Sequence, residues 1–246
     1  MIRSSFLTYW TGKDIETKID RLNDTVCDKY LERLWSILES GIWMNINNEK
    51  VIGWSDNGPN STITMDIPMV CFTELRLSQS EKHYSRYGLL GIVVDRQFVL
   101  DRQGGPVFYI RSHPNECIVG NLVQMLNWIH DQSERGTTGA KELFENVKVP
   151  LSYLKAMSSP GSDDFETLSE NEWRIAHTNK GEKIGLIKVA GQDKPKYKIP
   201  LSPKDLMMIV LPDSQLRDQI IQDERIANWF NYKFPPLLTV SEIGEF

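Results

Sequence analysis

The stretch that decides the fold is Pro68-Met69-Val70-Cys71-Phe72-Thr73-Glu74. Its first five residues are apolar enough to predict a buried β-strand, and two polar residues follow directly. Functional side chains often lie where a rigid strand passes into a loop, so Thr73 and Glu74 are candidates for a site.

Segments on both sides of this strand have either strand-like or helix-like patterns, and the two kinds are mixed along the chain. The predicted strands outside it cover residues 4–10, 51–54, 89–95, 106–110, 167–176, 184–189, 206–211 and 237–240. The predicted helices cover residues 24–40, 80–87, 115–130, 141–157 with an interruption at Pro150, and 214–223. This order predicts an α+β fold with mostly antiparallel sheets and flanking helices. No shift in composition divides the chain, so one domain spanning residues 1–246 is expected.

Composition and charge exclude several classes of protein. The chain has 246 residues, is 40% hydrophobic and carries a formal net charge of -5. A mildly acidic chain is not suited to bind nucleic acid through bulk electrostatics, although a local basic groove remains possible. No apolar run approaches the roughly 20 residues of a membrane span. Three widely spaced cysteines and no recognisable signal peptide predict a cytoplasmic location.

Several familiar catalytic and cofactor motifs do not occur in the sequence. It contains no GxxxxGK[ST], no GxGxxG after a strand, no HExxH and no GxSxG. The four histidines have no spacing typical of metal ligands. The sequence therefore predicts neither a P-loop, nor a Rossmann cofactor site, nor a metal centre.

The segment Glu170-Asn171-Glu172-Trp173-Arg174 places two acids and a base at alternate positions. On a strand Glu170, Glu172 and Arg174 would share one face, with roughly 6.6 Å between neighbours on that face. Two carboxylates at this separation could contact one small substrate at two points. The alternative is an amphipathic strand with Trp173 in the core and the charges in water.

Two aromatic segments are further candidates. Tyr9 lies in Thr8-Tyr9-Trp10-Thr11-Gly12, where a strand end could stack on a flat ring, although taken alone the segment favours a core strand entering a turn. His83 and Tyr87 lie one helical turn apart. For His83 a structural hydrogen bond is favoured over a catalytic role.

The order of these motifs resembles that of the AbiGi-type abortive phage infection proteins and of a related bacterial domain of unknown function. The resemblance spans roughly residues 6–211 and implies a role in phage defence. The pieces that carry it are Ile37-Leu38-Glu39-Ser40-Gly41, residues 68–74, His83-Tyr84, Tyr87-Gly88, Gly91-Ile92, Pro106-Val107-Phe108-Tyr109, Lys155 and residues 170–174.

The same arrangement is similar, more distantly, to the ADP-ribosyltransferases. That resemblance implies a split sheet that holds NAD in a cleft, with NAD as the substrate and no metal. It assigns Tyr9 to the first strand, Thr73 to the middle strand and Glu170 and Glu172 to a late Glu-x-Glu element. Here Tyr9 stands where the family often has His or Arg, and Cys71-Phe72-Thr73 replaces the usual Ser-Thr-Ser-like element.

The resemblance also implies roles for these side chains. Glu172 would hold a ribose hydroxyl and stabilise the positive charge that develops on the sugar, and Glu170 would take a proton from the acceptor. Arg174 would bind a phosphate or keep Glu172 ionised. Tyr9 or Tyr84 would stack on the nicotinamide ring.

Two functions follow from these resemblances. The first is an anti-phage effector that uses NAD to modify an unspecified macromolecule or depletes NAD. The second is a non-enzymatic, antitoxin-like component of a two-part defence system, which binds a partner protein encoded nearby, a nucleic acid or a nucleotide. Recognition of a phage component that switches the protein on is a third possibility.

Overall fold

The structure is a computed structural model that describes residues 5–55, 58–74, 76–110, 117–156, 170–190 and 196–244. The strands in the described part are β1 Phe6–Thr11, β2 Ile42–Trp43, β3 Asn45–Ser55, β4 Gly58–Thr73, β5 Leu90–Asp95, β6 Gly105–Pro106, β7 Phe108–Ile110, β8 Leu154–Ala156, β9 Glu172–Ala176, β10 Lys188–Ala190, β11 Lys196–Ile199, β12 Leu206–Leu211 and β13 Leu237–Thr239. The helices are α1 Asp24–Ser40, α2 Glu81–Tyr87, α3 Arg96–Asp101, α4 Cys117–Glu134, α5 Ala140–Leu151, α6 Asn179–Lys183, α7 Ser214–Gln222, α8 Glu224–Trp229 and α9 Val240–Gly244. Short 3₁₀ turns lie at Ile19–Arg21, Leu77–Gln79 and Pro203–Asp205.

Among the described residues, the main sheet has eight strands, seven of them in the order β13-β12-β5-β1-β4-β9-β6, and β3 pairs with β4. All of its pairings are antiparallel except that between β12 and β13. The α+β class and the largely antiparallel sheet predicted from sequence are confirmed. The resemblance to an ADP-ribosyltransferase split sheet stays a prediction.

The sheet opens between β1 and β4. Strand β1 pairs with β5 along its whole length, from Phe6 opposite Asp95 to Thr11 opposite Leu90. Its pairing with β4 has a single register pair, Thr8 opposite Thr73. Residues 58–69 of β4 pair with β3 instead. The two strands therefore separate beyond this one pair, and the space between them is available for a cavity.

The described part of the chain also forms two smaller sheets. Strands β10, β11 and β2 form an antiparallel sheet. Strands β7 and β8 form a parallel pair in which Tyr109 lies opposite Lys155. Because directly opposed residues project to the same face, this pair presents Tyr109 and Lys155 together.

Helix α1 covers the core with a regular apolar stripe, as its sequence predicts. Tyr30, Leu34 and Ile37 are buried, and they recur at the spacing of one helical face. The helix begins after Asn23, whose side chain accepts a hydrogen bond from the Val26 amide at 3.0 Å. It ends at Gly41, which has a φ of 99° that favours glycine.

Helix α2 is held against the end of β1. The Lys13 amide donates to the Tyr87 carbonyl at 2.9 Å. The helix stops at Gly88, which has a φ of 110°. A Cβ at Gly88 would collide with the backbone of Thr11 and Gly12, so only glycine allows this close approach.

Several sequence predictions require correction. The strand predicted at residues 184–189 is wrong over residues 184–187, because α6 ends at Lys183 and a turn at Gly185 with a φ of 78° follows. The strand β10 begins only at Lys188. Thr178 caps α6 by accepting from the Gly181 amide at 2.9 Å. The strand predicted at 167–176 begins only at Glu172, and residues 167–169 lie outside the described residues.

Candidate functional site

A cavity of about 750 Å³ lies where β1 and β4 separate. This volume falls within the range of small-molecule sites. The cavity is lined by residues 8–14, Arg33, Ser36, Ile37, Trp43, Asn45, residues 69–73, His83, Tyr87, Lys155, Glu170 and Glu172. Its walls thus combine aromatic rings, hydroxyl groups and charges of both signs.

Four of the six residues to which the ADP-ribosyltransferase resemblance assigns roles line this cavity: Tyr9, Thr73, Glu170 and Glu172. Strand register explains part of the convergence, because Thr73 lies between Thr8 on β1 and Glu172 on β9. The sheet thus brings residues from three distant parts of the chain side by side.

The other two predicted residues, Tyr84 and Arg174, are not part of the lining. The Tyr84 ring packs against Trp10, with centroids 5.8 Å apart. Arg174 is fully buried, and its guanidinium binds Glu172 and the carbonyl of Ser152. Of the two roles expected for Arg174, the geometry therefore favours keeping Glu172 ionised.

The Glu172 carboxylate is surrounded by donors. Arg174 Nε donates to Oε1 at 2.6 Å, and a second guanidinium nitrogen donates to Oε2 at 3.2 Å. Lys155 Nζ donates to Oε2 at 2.7 Å. The thiol of Cys71 also forms a hydrogen bond to this carboxylate. A carboxylate accepts about four hydrogen bonds, so this one is already fully satisfied by the protein.

These donors determine the protonation state of Glu172. Burial would by itself raise the pKa of this carboxyl group, because it penalises the charged form. The hydrogen bond and charge of Arg174, with the charge of Lys155, outweigh burial and lower the pKa to about 2. The expectation that these charges lie in water is wrong, since all five residues of β9 are buried.

Lys155 joins the two acids of the cavity. Its Nζ donates to Glu170 Oε2 at 2.5 Å as well as to Glu172. Glu170 in turn accepts from Arg86 at 3.0 Å. Burial would lower the pKa of Lys155, but the two carboxylates raise it above its usual value. Lys155 is therefore a fixed cation at neutral pH.

The parallel pair β7–β8 also brings the Tyr109 hydroxyl to the backbone of Glu172. The Glu172 amide donates to the Tyr109 hydroxyl at 3.0 Å. Burial raises the pKa of Tyr109 to about 12, so the hydroxyl stays protonated. Sequence reasoning gave no role to Tyr109 or Lys155. Both occur among the motifs of the family resemblance, which is the signal that could have identified them.

A separate polar group in the cavity lining is formed by Thr11, Asp14 and Arg33. Arg33 donates to Thr11 Oγ1 at 3.2 Å and to Asp14 at 2.6 Å. Tyr9 is nearby, and burial raises the pKa of its hydroxyl. Its ring lies 6.2 Å from that of Phe72 and is tilted against it, so one edge of Tyr9 is fixed by core packing.

His83 differs from expectation. It is only 6% exposed, yet neither ring nitrogen has a hydrogen-bond partner in the described part of the chain. Trp10 is 7% exposed, and its indole N–H likewise finds no acceptor there. Both side chains line the cavity. Among the described residues, His83 therefore lacks the structural hydrogen bond that was predicted for it.

The residues that the structure describes offer neither a cluster of metal ligands nor a membrane-spanning helix. These residues contain no group of three or more His, Cys, Asp or Glu side chains that could hold a metal ion. No helix within the same ranges is long and apolar enough to cross a lipid bilayer.

Comparison with known proteins identifies one family. Residues 39–212, well over half of the chain, match the family model described as "Putative abortive phage resistance protein AbiGi, antitoxin". No curated protein and no solved structure matches the chain. The matched region contains Thr73, Lys155 and both cavity acids, whereas Tyr9 precedes it. The chain therefore belongs to the AbiGi family of abortive phage resistance proteins.

Proposed function

We propose that this protein is the antitoxin-like component of a two-part phage-defence system and that it acts by binding a partner protein. The observation that supports a non-enzymatic role is the state of Glu172. Arg174, Lys155 and Cys71 already donate to its carboxylate. A ribose hydroxyl could bind only by displacing one of these donors, and a buried donor without a partner costs about 1–3 kcal/mol, or more when it is charged.

The proposal assigns the partner to the exposed face of α4. Trp128 is 61% exposed and Met125 is 46% exposed. Residues three apart lie on the same side of a helix, so these two side chains form one apolar surface. Tryptophan and methionine are enriched at protein interfaces, and tryptophan often dominates the binding energy. Both residues lie within the region that matches the family.

Co-expression with the product of the neighbouring gene tests the proposal. We expect the pair to co-purify and the chain to relieve growth arrest caused by its neighbour. The double variant Met125→Ser/Trp128→Ser should lose both effects while it remains folded. The matched control is Ile221→Ser, since Ile221 is 50% exposed but lies outside the family region. Growth arrest caused by this chain alone would refute an antitoxin role.

A second candidate is the NAD-consuming effector. It is favoured by one observation, the convergence of Tyr9, Thr73, Glu170 and Glu172 on a single cavity. The test is release of nicotinamide from NAD by the purified protein, alone and with host or phage extract. Thr73→Val keeps the shape of the side chain and removes its hydroxyl. Multiple turnovers that are lost in Thr73→Val would support the effector, whereas no release would support the first proposal.

A further inference from the structure

One face of the three-stranded sheet carries several cations and an aromatic ring. The order of this sheet is β10-β11-β2, and Lys198 on β11 lies opposite both Lys188 on β10 and Trp43 on β2. Directly opposed residues project to the same face, and so do residues two apart on one strand, which adds Lys196. Lys188, Lys196, Lys198 and Trp43 therefore share one surface, which we call the basic face.

The opposite face of this sheet packs on the core, so the basic face points outward. Ile42 and Ile199 form the other register pair between β2 and β11, and both are fully buried. Tyr197 lies on the same side as Ile199 and packs against the core. By contrast, Lys188 and Lys196 on the basic face are exposed.

The lysines of the basic face lie close together without counterions. Directly opposed side chains have Cβ atoms about 5 Å apart, so the pairing of Lys188 with Lys198 places like charges together at a cost in stability. None of the three lysines forms a salt bridge with a carboxylate in the described ranges. Lysine on an edge strand can prevent aggregation, but Lys196 and Lys198 lie on β11, the central strand of this sheet. Edge protection therefore does not explain the cluster, whereas an anionic ligand does.

Trp43 gives the basic face a means of binding flat rings. Its side chain is half-buried, and Lys198 Nζ lies 5.0 Å from the centroid of its ring. Proteins that bind single-stranded nucleic acid without sequence preference combine cations, which bind the phosphates, with aromatic rings on which bases stack. An acidic peptide would pair with the lysines but would leave the ring without a role, and a duplex offers no unstacked base.

We propose that the basic face binds single-stranded nucleic acid, with the three lysines on phosphates and Trp43 stacked on a base. The chain as a whole carries a net charge of -5, so binding depends on this local cluster and not on the overall field. The basic face shares no residue with the partner surface on α4, so this proposal and the antitoxin role can fail separately.

Fluorescence anisotropy of short labelled oligonucleotides tests the proposal with the full chain. The probes are oligo-dT, oligo-U and a DNA duplex of the same length. We expect a single-stranded probe to bind, and the tighter of the two shows whether DNA or RNA is preferred. Each phosphate contact to a single strand contributes about −0.7 to the slope of log affinity against log salt concentration. Three lysines therefore predict a slope of about −2, or about twenty-fold weaker binding at 200 mM than at 50 mM salt.

Substitutions separate the two kinds of contact. Lys188→Gln and Lys196→Gln should each make the salt slope shallower by about 0.7. Lys188→Gln should also leave the melting temperature of the free protein unchanged or raised, because it removes a pair of like charges. Trp43→Leu should weaken binding about tenfold and leave the salt slope unchanged. The matched control is Lys141→Gln, since Lys141 is exposed but lies on α5, and it should bind the probe as the native protein does.

The proposal is overturned if neither single-stranded probe binds, or if the duplex binds as tightly as both. It is also overturned if Lys141→Gln weakens binding as much as Lys188→Gln, which would mean that the probe contacts dispersed surface charge. Binding of polyglutamate or of phosphatidylserine vesicles in place of the oligonucleotides would assign the basic face to an acidic protein segment or to a lipid surface, and would likewise refute a nucleic-acid site.

Discussion

The most informative perturbation of this protein is Glu172→Gln, because it removes one charge from a buried network and preserves side-chain size. Glu172 is 7% exposed and Arg174 is fully buried. Removing one partner of a buried ion pair leaves the other charge uncompensated and costs about 3–5 kcal/mol. We expect the free energy of unfolding at pH 7 to fall by this amount.

The pKa of Glu172 gives a second magnitude and a sign. Its folded pKa of about 2 lies below the ordinary value of 4.5. This difference corresponds to about 3 kcal/mol of stability, fully present well above pH 4.5 and lost as the pH falls towards 2. Between pH 7 and pH 3 the native protein should lose about 2 kcal/mol of it. The variant has no such carboxyl group. The difference in free energy of unfolding between the native protein and the variant should therefore narrow by about 2 kcal/mol from pH 7 to pH 3.

Urea unfolding at pH 7, 5 and 3 measures both effects. The control is Glu32→Gln, because Glu32 also pairs with a cation at 2.7 Å but is 61% exposed. An exposed pair contributes about 0–1 kcal/mol, so this variant should unfold almost like the native protein. The account of the buried network is refuted if the two substitutions lower the free energy of unfolding equally at pH 7. It is also refuted if the destabilisation by Glu172→Gln is the same at pH 7 and pH 3.

Three further predictions concern the turn at Gly88, two cysteines and Lys155. Gly88→Ala should lower the free energy of unfolding in urea by more than about 2 kcal/mol, because the added Cβ would collide with backbone atoms. The control is Gly136→Ala, where φ is 72° but the space around the Cβ is open, and it should cost about 1 kcal/mol. Cys27 and Cys71 have pKa values that burial raises, so iodoacetamide at pH 8 should label both far more slowly than in urea, as read by peptide mass spectrometry. Lys155→Met should lower thermal stability, because it leaves two carboxylates without their shared cation, and a melting temperature within 1–2 °C of the native value would contradict this.

Local sequence patterns predicted much of the fold because they reflect burial directly. The stripe of α1 and its end at Gly41 follow from helical periodicity and the conformational freedom of glycine. The error at residues 184–189 has a physical cause. Short apolar runs do not distinguish a strand from a turn that packs one side chain, and there only Ile187 is deeply buried.

The site was only partly predictable, because its assembly depends on long-range pairing. The alternation of Glu170, Glu172 and Arg174 made them candidates, but local spacing could not reveal that Lys155 would join the two acids. That contact depends on the parallel pairing of β7 with β8, which are separated by two helices. The burial of Arg174 likewise follows from packing against Ser152 rather than from its neighbours in sequence.

The electrostatics of the cavity limit the chemistry that it could perform. A general base works best when its pKa is near the working pH, and a carboxylate with a pKa of about 2 is a weak proton acceptor at pH 7. Glu170 is held by Lys155 and Arg86. Any catalysis here would therefore depend on fixed charge rather than on proton transfer by Glu172. A network that neutralises itself also leaves little net field to stabilise a developing cation, because Arg174 and Lys155 oppose that stabilisation. The same network suits a binding protein, since it fixes the cavity wall whether or not a ligand is present.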